Sequence, residues 1–363
     1  MPQEAHCRLK IMKKNVFGIF GLLVTVFVIT AIADPNFLSA YNMQNTVKWS
    51  SLYGVMSIGV AFVIITGGID LSIGSVVGLV AVVLSFFTKI QGLDPIVAIG
   101  LTLLMSVLIG LIHGLLITKA KLQPFVVTLC GLLIYRSLSR WLTDNQSLGP
   151  VPLEGDLGFE NLEQILMLDF IFSGQIPIGD FFKLPTPALF LLVLALAGSI
   201  FLRKTIWGRY LYALGNNEDG ARYSGIDTDR MKIVAYVLCS FFAGIAGILF
   251  AFELGSVQPA QTGEFYELFA IAAAVLGGCS LRGGGGSILG VIIAAAVIRI
   301  IFNSINMVGI STHLEFGILG VVILLGVIGD EMLKKKMAER QVAASEKLAA
   351  ELSGKSKGTQ NLE

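Results

Sequence analysis

Val60-Ala61-Phe62-Val63-Ile64-Ile65-Thr66-Gly67-Gly68-Ile69-Asp70-Leu71-Ser72-Ile73-Gly74-Ser75 holds the end of one apolar run, a break, and the start of the next. Two adjacent glycines end or break a helix, because glycine pays the largest backbone entropy for being held in one. An aspartate just ahead of a fresh apolar run has the signature of a helix N-cap. Read outward, the chain repeats this alternation of long apolar segments and short polar turns.

The composition says what those segments are for. Of 363 residues, 55% are hydrophobic and 14% charged, with a mean hydropathy of +0.79. A soluble domain has about 45–50% apolar and about 25% charged residues. A soluble globular enzyme is therefore excluded as the main architecture, as is a disordered or collagen-like chain despite 41 glycines. A net charge of +1 gives no sign of a nucleic-acid partner. The fold class expected is an all-α membrane protein, a polytopic bundle in which this length supplies about ten transmembrane helices at about 20 residues each plus loops.

Ten apolar segments fall at 16–33, 47–66, 73–88, 95–118, 124–142, 186–202, 233–254, 266–281, 288–305 and 315–329, and those at 73–88, 266–281 and 315–329 are short for a span. Arg8, Lys10, Lys13 and Lys14 put the amino-terminal tail in the cytoplasm by the positive-inside rule. Ten alternating spans then give the cytoplasm Lys119, Lys121, the 203–232 loop, Arg282 and Lys334–Lys336. The opposite side receives the 143–185 loop, with seven acidic residues and Lys183 as its single base. Both termini are thus expected in the cytoplasm. Three regions follow: a tail at 1–15, a transmembrane domain at 16–333 and a charged carboxy-terminal tail at 334–363. Ala31-Ile32-Ala33 resembles a signal cleavage site, but the apolar run before it is longer than the usual 7–15 residues, so 16–33 is expected to stay as a span.

Four cysteines and three histidines are scattered at no metal-ligand spacing, so neither a metal site nor a cofactor is expected. No nucleophile–base pair appears in the spans, and no catalytic residue is assigned.

Three stretches carry the functional signal. In the first, Gly67, Gly68, Asp70 and Ser72 admit two readings. One is a cap at the cytoplasmic interface; the other is a broken helix whose free backbone groups line a path. The second runs from Glu267 through Leu276-Gly277-Gly278 to Ser280-Leu281-Arg282, four glycines and Ser287. Its small residues suit close helix packing in lipid, and its glycine run reads as a tight cytoplasmic turn. It is no P-loop, since no Gly-Lys-Ser/Thr follows. The two stretches share Gly-Gly-x-x-Leu and then Gly-Ser, two apolar residues and Gly (Gly74–Gly78, Gly286–Gly290), a short match of the kind an internal repeat leaves.

The third is the 208–226 loop. Gly215 and Gly220 have the spacing of a Walker A start, but Ala221-Arg222 stands where Lys and Ser/Thr are required, so ATP is not expected here. The residues spell a short capped helix instead. Asn216 or Asn217 is the N-cap, Glu218 and Asp219 occupy the positive first turn, Arg222 the last, and Gly225 the left-handed C′ position. Two turns are marginal alone, so this helix must dock on something. In the spans, Arg136 and Arg299 lie deep and are expected to face a polar cavity or a carboxylate such as Glu253 or Glu267. Asn303 and Asn306 share a face usable for interhelical bonds or for a hydroxylated solute.

These residues resemble the ribose/xylose/galactose-type permease subunits of bacterial ABC importers. The resemblance rests on Gly67-Gly68-Ile69-Asp70-Leu71-Ser72, on Thr128-Leu129 with Gly131 and Arg136, on Gly208-Arg209 through Gly225, on Glu267-Leu268 through Gly284, and on Asn303, Asn306, Gly309 and Ser311. It implies an inner-membrane permease for a monosaccharide, a second permease copy as homodimer or heterodimer partner, cytoplasmic ABC ATPase subunits, and a periplasmic solute-binding protein. It also implies that the capped helix, with Gly215, Asn217, Glu218, Ala221, Arg222 and Gly225, seats in the ATPase, and that no ATP is hydrolysed on this chain. Ser137 and Phe269 depart from the pattern and leave the solute open: a nucleoside, a branched-chain amino acid or a sugar-derived signal are alternatives. An ion-coupled secondary transporter is the reading outside the class, and the spans lack the clustered Asp, Glu and His relays it would need.

Overall fold

The computed structural model describes residues 2–150, 162–179 and 182–326, together with 328 and 332. The chain divides into two compact units, Met1–Glu315 and Phe316–Glu363. In the second, the described stretch 316–326 is helical, and the tail at 334–363 lies outside the described residues.

The first unit runs α1 (Pro2–Ala33), α2 (Ala40–Ile65), α3 (Ile73–Lys89), α4 (Pro95–Thr118), α5 (Pro124–Leu142) and α6 (Leu162–Ser173). A hairpin of β1 (Gln175–Ile178) and β2 (Phe182–Pro185) follows, antiparallel with Gln175 opposite Pro185. Then come α7 (Thr186–Lys204), α8 (Ile206–Asn216), α9 (Glu218–Tyr223), α10 (Thr228–Leu254), α11 (Tyr266–Leu276) and α12 (Ile288–Met307).

Short polar side chains start many of these helices by accepting an orphan N–H of the first turn. Asp94 caps α4 at the amides of Ile96 and Val97, with Pro95 in the first turn. Asp227 accepts from the Arg230 amide at 3.0 Å at the start of α10, and Thr205 from the Gly208 amide at 3.1 Å at the start of α8.

Six described helices are long and apolar enough to cross a membrane: α2, α4, α5, α7, α10 and α12. Four shorter apolar helices, Gly18–Ala33, Ile73–Lys89, Tyr266–Leu276 and Thr312–Gly326, fall on the remaining apolar segments of the sequence. The chain is an all-α multi-pass membrane protein. Helix α2 is central, buried along most of its length, and α10 lies against α2, α3 and α4. In lipid no hydrophobic effect drives helices together, so close approach by small residues does. Gly59, Gly110 and Gly247 stand where α10 meets α2, α4 and α3, each against neighbouring atoms that leave no room for a Cβ. Helices α4, α5 and α7 form the outside, with large apolar side chains exposed along them.

Two features were not anticipated. The 143–185 loop, read by its charge alone, contains α6 and the hairpin. Helix α8 precedes the expected capped helix and ends at Asn216.

Candidate functional site: the broken helix and the capped loop helix

Helix α2 stops at Ile65, and α3 does not start until Ile73. Asp70, 1% exposed, lies in the gap between them. Its Oδ1 accepts from the Ser72 amide at 2.8 Å and from Ser72 Oγ at 2.7 Å. Asp70 is therefore not the N-cap of α3. That position belongs to Ser72, whose own side chain makes no cap bond and donates its hydroxyl to the carboxylate instead. Side chains of three helices surround the gap, and one of them bonds to it. Tyr236 of α10 donates its hydroxyl to the Ile69 carbonyl at 3.0 Å. His113 of α4 and Tyr135 of α5 meet at 2.9 Å between Nε2 and Oη, and the His113 ring stands edge-on to Tyr236 at 6.5 Å. All three rings, with Cys239, lie within electrostatic reach of Asp70. Sequence reasoning missed them; a lone histidine in an apolar span was the one available signal.

The other half of this region is the irregular 255–265 segment ahead of α11. Arg136 crosses to it from α5 and donates from Nη1 to the carbonyls of Thr262 at 2.6 Å and Ala260 at 3.3 Å. Arg136 was expected to face a polar cavity or a carboxylate such as Glu253 or Glu267; its hydrogen bonds go to these carbonyls, and it forms no ion pair with either glutamate. Carbonyls outside a helix have no ladder partner, and in a membrane bundle they must be satisfied from within the protein. A guanidinium with five donors does this. Gly74 and Gly78 of α3 face the same segment. A Cβ on Gly78 would meet the Thr262 carbonyl, and one on Gly74 the Gly263 carbonyl and the Glu267 carboxylate. Glu267 is 7% exposed. The first stretch thus meets Arg136 and Glu267 in one place.

At the end of α2 the first stretch also meets the glycine run and α8. The Ile65 carbonyl accepts the Gly284 amide at 2.9 Å, and Tyr212 of α8 donates to the Gly286 carbonyl at 2.9 Å. Burial pushes the Tyr212 hydroxyl up to about 12, so it stays a donor. Gly215 fits between the two strands of this knot: a Cβ there would strike the Ile65 carbonyl and the Gly284 nitrogen. Gly277 and Gly278 end α11, and Gly277 crosses Gly290 of α12 in close contact.

Helix α9 follows directly. Asn217, not Asn216, is its cap, accepting the Gly220 amide at 2.9 Å. At the other end the Ile226 amide reaches the Ala221 carbonyl at 3.1 Å and the Gly225 amide the Arg222 carbonyl at 3.0 Å, with Gly225 at φ +83°. That is a complete Schellman stop. Glu218 binds Arg222 at 3.1 Å within the helix and Lys232 of α10 at 2.8 Å. Ala221 is buried, while Tyr223 is 91% exposed.

The remaining predicted residues lie elsewhere. Arg299 of α12 is not paired with a carboxylate either. Its guanidinium sits 5.1 Å from the Tyr53 ring centroid, 5.4 Å from Trp49 and 5.6 Å from Phe302, a cation–π cage. Glu253 is taken by Lys48 of α2 at 2.6 Å. Asn303 exchanges amide bonds with Asn42 of α2 at 2.7 and 3.2 Å, and Asn306 donates to the Phe302 carbonyl and to Glu315. Asn303 therefore joins α2 to α12. Among the described residues no group of three or more His, Cys, Asp or Glu stands at metal-holding spacing.

Residues 42–327 match the family described as branched-chain amino acid transport system / permease component. The chain is 35% identical over 313 residues to the ribose import permease protein RbsC of Escherichia coli strain K12, covering 86% of this chain and 92% of that one. It is 36% identical over 318 residues to the protein of the same name from Bacillus subtilis strain 168, covering 88% and 92%. It is 30% identical over 373 residues to the xylose transport system permease protein XylH of Haemophilus influenzae, covering 90% and 99%. The match takes in the broken helix, the capped loop and the glycine run together, and the chain belongs to the branched-chain amino acid transport system / permease component family, on the side of its sugar permeases.

Proposed function

We propose that this chain is the membrane-spanning permease subunit of an ATP-driven importer for a monosaccharide, with ribose and xylose as the first solutes to test. Helix α9 carries the reading. It is capped at both ends, tied to α10 through Glu218 and Lys232, and ends in an exposed tyrosine. A two-turn helix finished to that degree suits a partner surface. Cytoplasmic ABC ATPase subunits are that partner, and they carry out the hydrolysis. A periplasmic solute-binding protein delivers the solute to a pair of permeases in the bacterial inner membrane. The chain crosses ten times, with its 1–15 and 334–363 tails in the cytoplasm.

The permease itself performs no covalent step. A path open first to one side and then to the other is shifted only by a ligand that binds the two states differently. ATPase closure on α9 supplies that difference. From α9 the displacement reaches the end of α2 through Gly215, Tyr212 and the glycine run. The gap at Gly67, Gly68, Asp70 and Ser72, with Arg136, Glu267, Gly277 and Gly278, then rearranges beside the path.

Mild solubilisation from the native membrane, pull-down and mass spectrometry test the proposal. Recovery of an ATPase with Walker motifs, lost in Arg222→Glu while membrane insertion is kept, supports it. A clean preparation with no ATPase contradicts it and favours ion-coupled transport.

A further inference from the structure

The outer loop between α5 and α7 has no role in the reading above, yet it folds. Helix α6 turns Ile165, Leu168 and Phe172 inward. Phe172 stacks between Phe190 of α7, at 5.3 Å and 25°, and Phe252 of α10, at 5.2 Å and 20°. The opposite face is also apolar. Leu166 and Met167 are each 52% exposed, Phe170 57% and Ile171 39%. Asp169 and Ser173, bonded to each other at 2.6 Å, flank this face on one side and Gln164 on the other; Glu163 shares the arc only in the first turn.

The depth of α6 says what covers it. Helix α7 has 19 residues and is about 28 Å long at 1.5 Å per residue, close to the hydrocarbon thickness of about 30 Å. Its inner end is marked by Arg203 and Lys204, so its outer end lies near the other hydrocarbon boundary. Phe190 is the fifth residue of α7, about 6 Å inside that end. The last turn of α6, stacked on Phe190, lies at the same level. Thr186 holds it there, donating its amide and its hydroxyl to the Gly174 carbonyl at 2.9 and 3.1 Å. Around Phe190, Leu189, Leu192 and Val193 are the exposed apolar side chains of this outer part of α7.

We infer that α6 is an interfacial helix, with Leu166, Met167, Phe170 and Ile171 inserted in the acyl region of the outer leaflet. An apolar face held about 5–10 Å below the headgroups is how such helices bind. A soluble partner on that face would have to enter the bilayer to reach it.

Nitroxide labels at Met167→Cys and, separately, Phe170→Cys test this in the full-length chain reconstituted in vesicles, with Cys7 and Cys130 replaced by serine. Val193→Cys on α7 is the lipid reference, and Lys183→Cys on the hairpin is the water reference. Collision with oxygen, which concentrates in lipid, is compared with collision with a water-soluble nickel chelate. Oxygen collisions several-fold above nickel at both α6 sites, near the Val193 value, support the inference. Nickel collisions matching the Lys183 value overturn it. So does low collision with both reagents, whether intrinsic (a second copy covers the face) or induced by the periplasmic binding protein.

Discussion

Replacing Asn217 isolates the helix on which the functional reading depends. The side chain has one described job, accepting the Gly220 amide at 2.9 Å at the start of α9. Truncation to alanine removes an N-cap worth about 1 kcal/mol, within a range of roughly 0.5–2. Helix α9 has only six residues and no length over which to recover that loss. The Glu218 pairs cannot hold it alone. Arg222 is 60% exposed in its side chain, and Glu218 itself 36%, so each pair adds at most about 0.2–1 kcal/mol after solvent screening. A shift of about 1 kcal/mol lowers the formed-to-unformed ratio of the docking-competent helix about fivefold. Asn217→Ala should therefore reduce ATP-dependent uptake, by at most about fivefold, when the ATPase is limiting, an excess of ATPase restoring part of it. Asn217→Asp keeps an equally good cap, adds negative charge at the positive end of the helix, and should remain close to wild type. The assay is initial uptake in vesicles at several ATPase concentrations, with insertion checked by blotting. Equal loss in the alanine and aspartate variants would refute the capping argument, because the amide would then be contacting the partner directly. Unchanged uptake in Asn217→Ala would refute the need for a preformed helix.

Other outcomes follow from the same geometry. Gly215→Ala places a methyl against the Ile65 carbonyl and the Gly284 nitrogen, an overpacking cost of roughly 1–3 kcal/mol. ATPase turnover in the complex should persist while uptake falls, with both rates read in the same vesicles. Asn42→Leu leaves the part-buried Asn303 amide without its partner at about 1–3 kcal/mol, whereas Asn303→Leu leaves Asn42 its bond to the Phe37 carbonyl and should cost less. The double variant should be less destabilised than the sum of the two, as thermal unfolding in detergent would report. Tyr212→Phe removes the bond to the Gly286 carbonyl and should cost about 0.5–1.5 kcal/mol. Burial raises the Tyr212 hydroxyl from 10.0 to about 12, so its contribution is whole below the unfolded value and lost as pH rises through the folded one. The stability gap between wild type and Tyr212→Phe should stay flat from neutral to about pH 10 and narrow above it.

Hydropathy made the helices legible because a span must be apolar over its whole length whatever it packs against. The α9 cap was legible for a similar reason: N-cap, first turn and stop are local chemistry, although Asn216 and Asn217 were separable only by the geometry that gives Asn216 to α8. What could not be read was non-local. Arg136 and Arg299 were expected to face a polar cavity or a carboxylate; Arg136 meets loop carbonyls and Arg299 the rings of Trp49 and Tyr53, all far away in sequence, with Phe302 one turn along its own helix. Asn303 found Asn42 across the bundle, and His113 gained meaning only when the gap at Asp70 placed Tyr135 and Tyr236 around it. Helix α6 stayed hidden because an acidic loop was read by its net charge, while Leu166, Met167, Phe170 and Ile171 make an apolar face on which Glu163, in the first turn, is the one acid.

Reconstitution tests the central claim most directly. The chain is placed in vesicles with its cognate ATPase subunits and solute-binding protein, and accumulation of labelled ribose or xylose is followed with and without ATP. The account predicts accumulation that needs ATP, the binding protein and an intact α9. Accumulation driven by an ion gradient without ATP, and unaffected by Arg222→Glu, would contradict it.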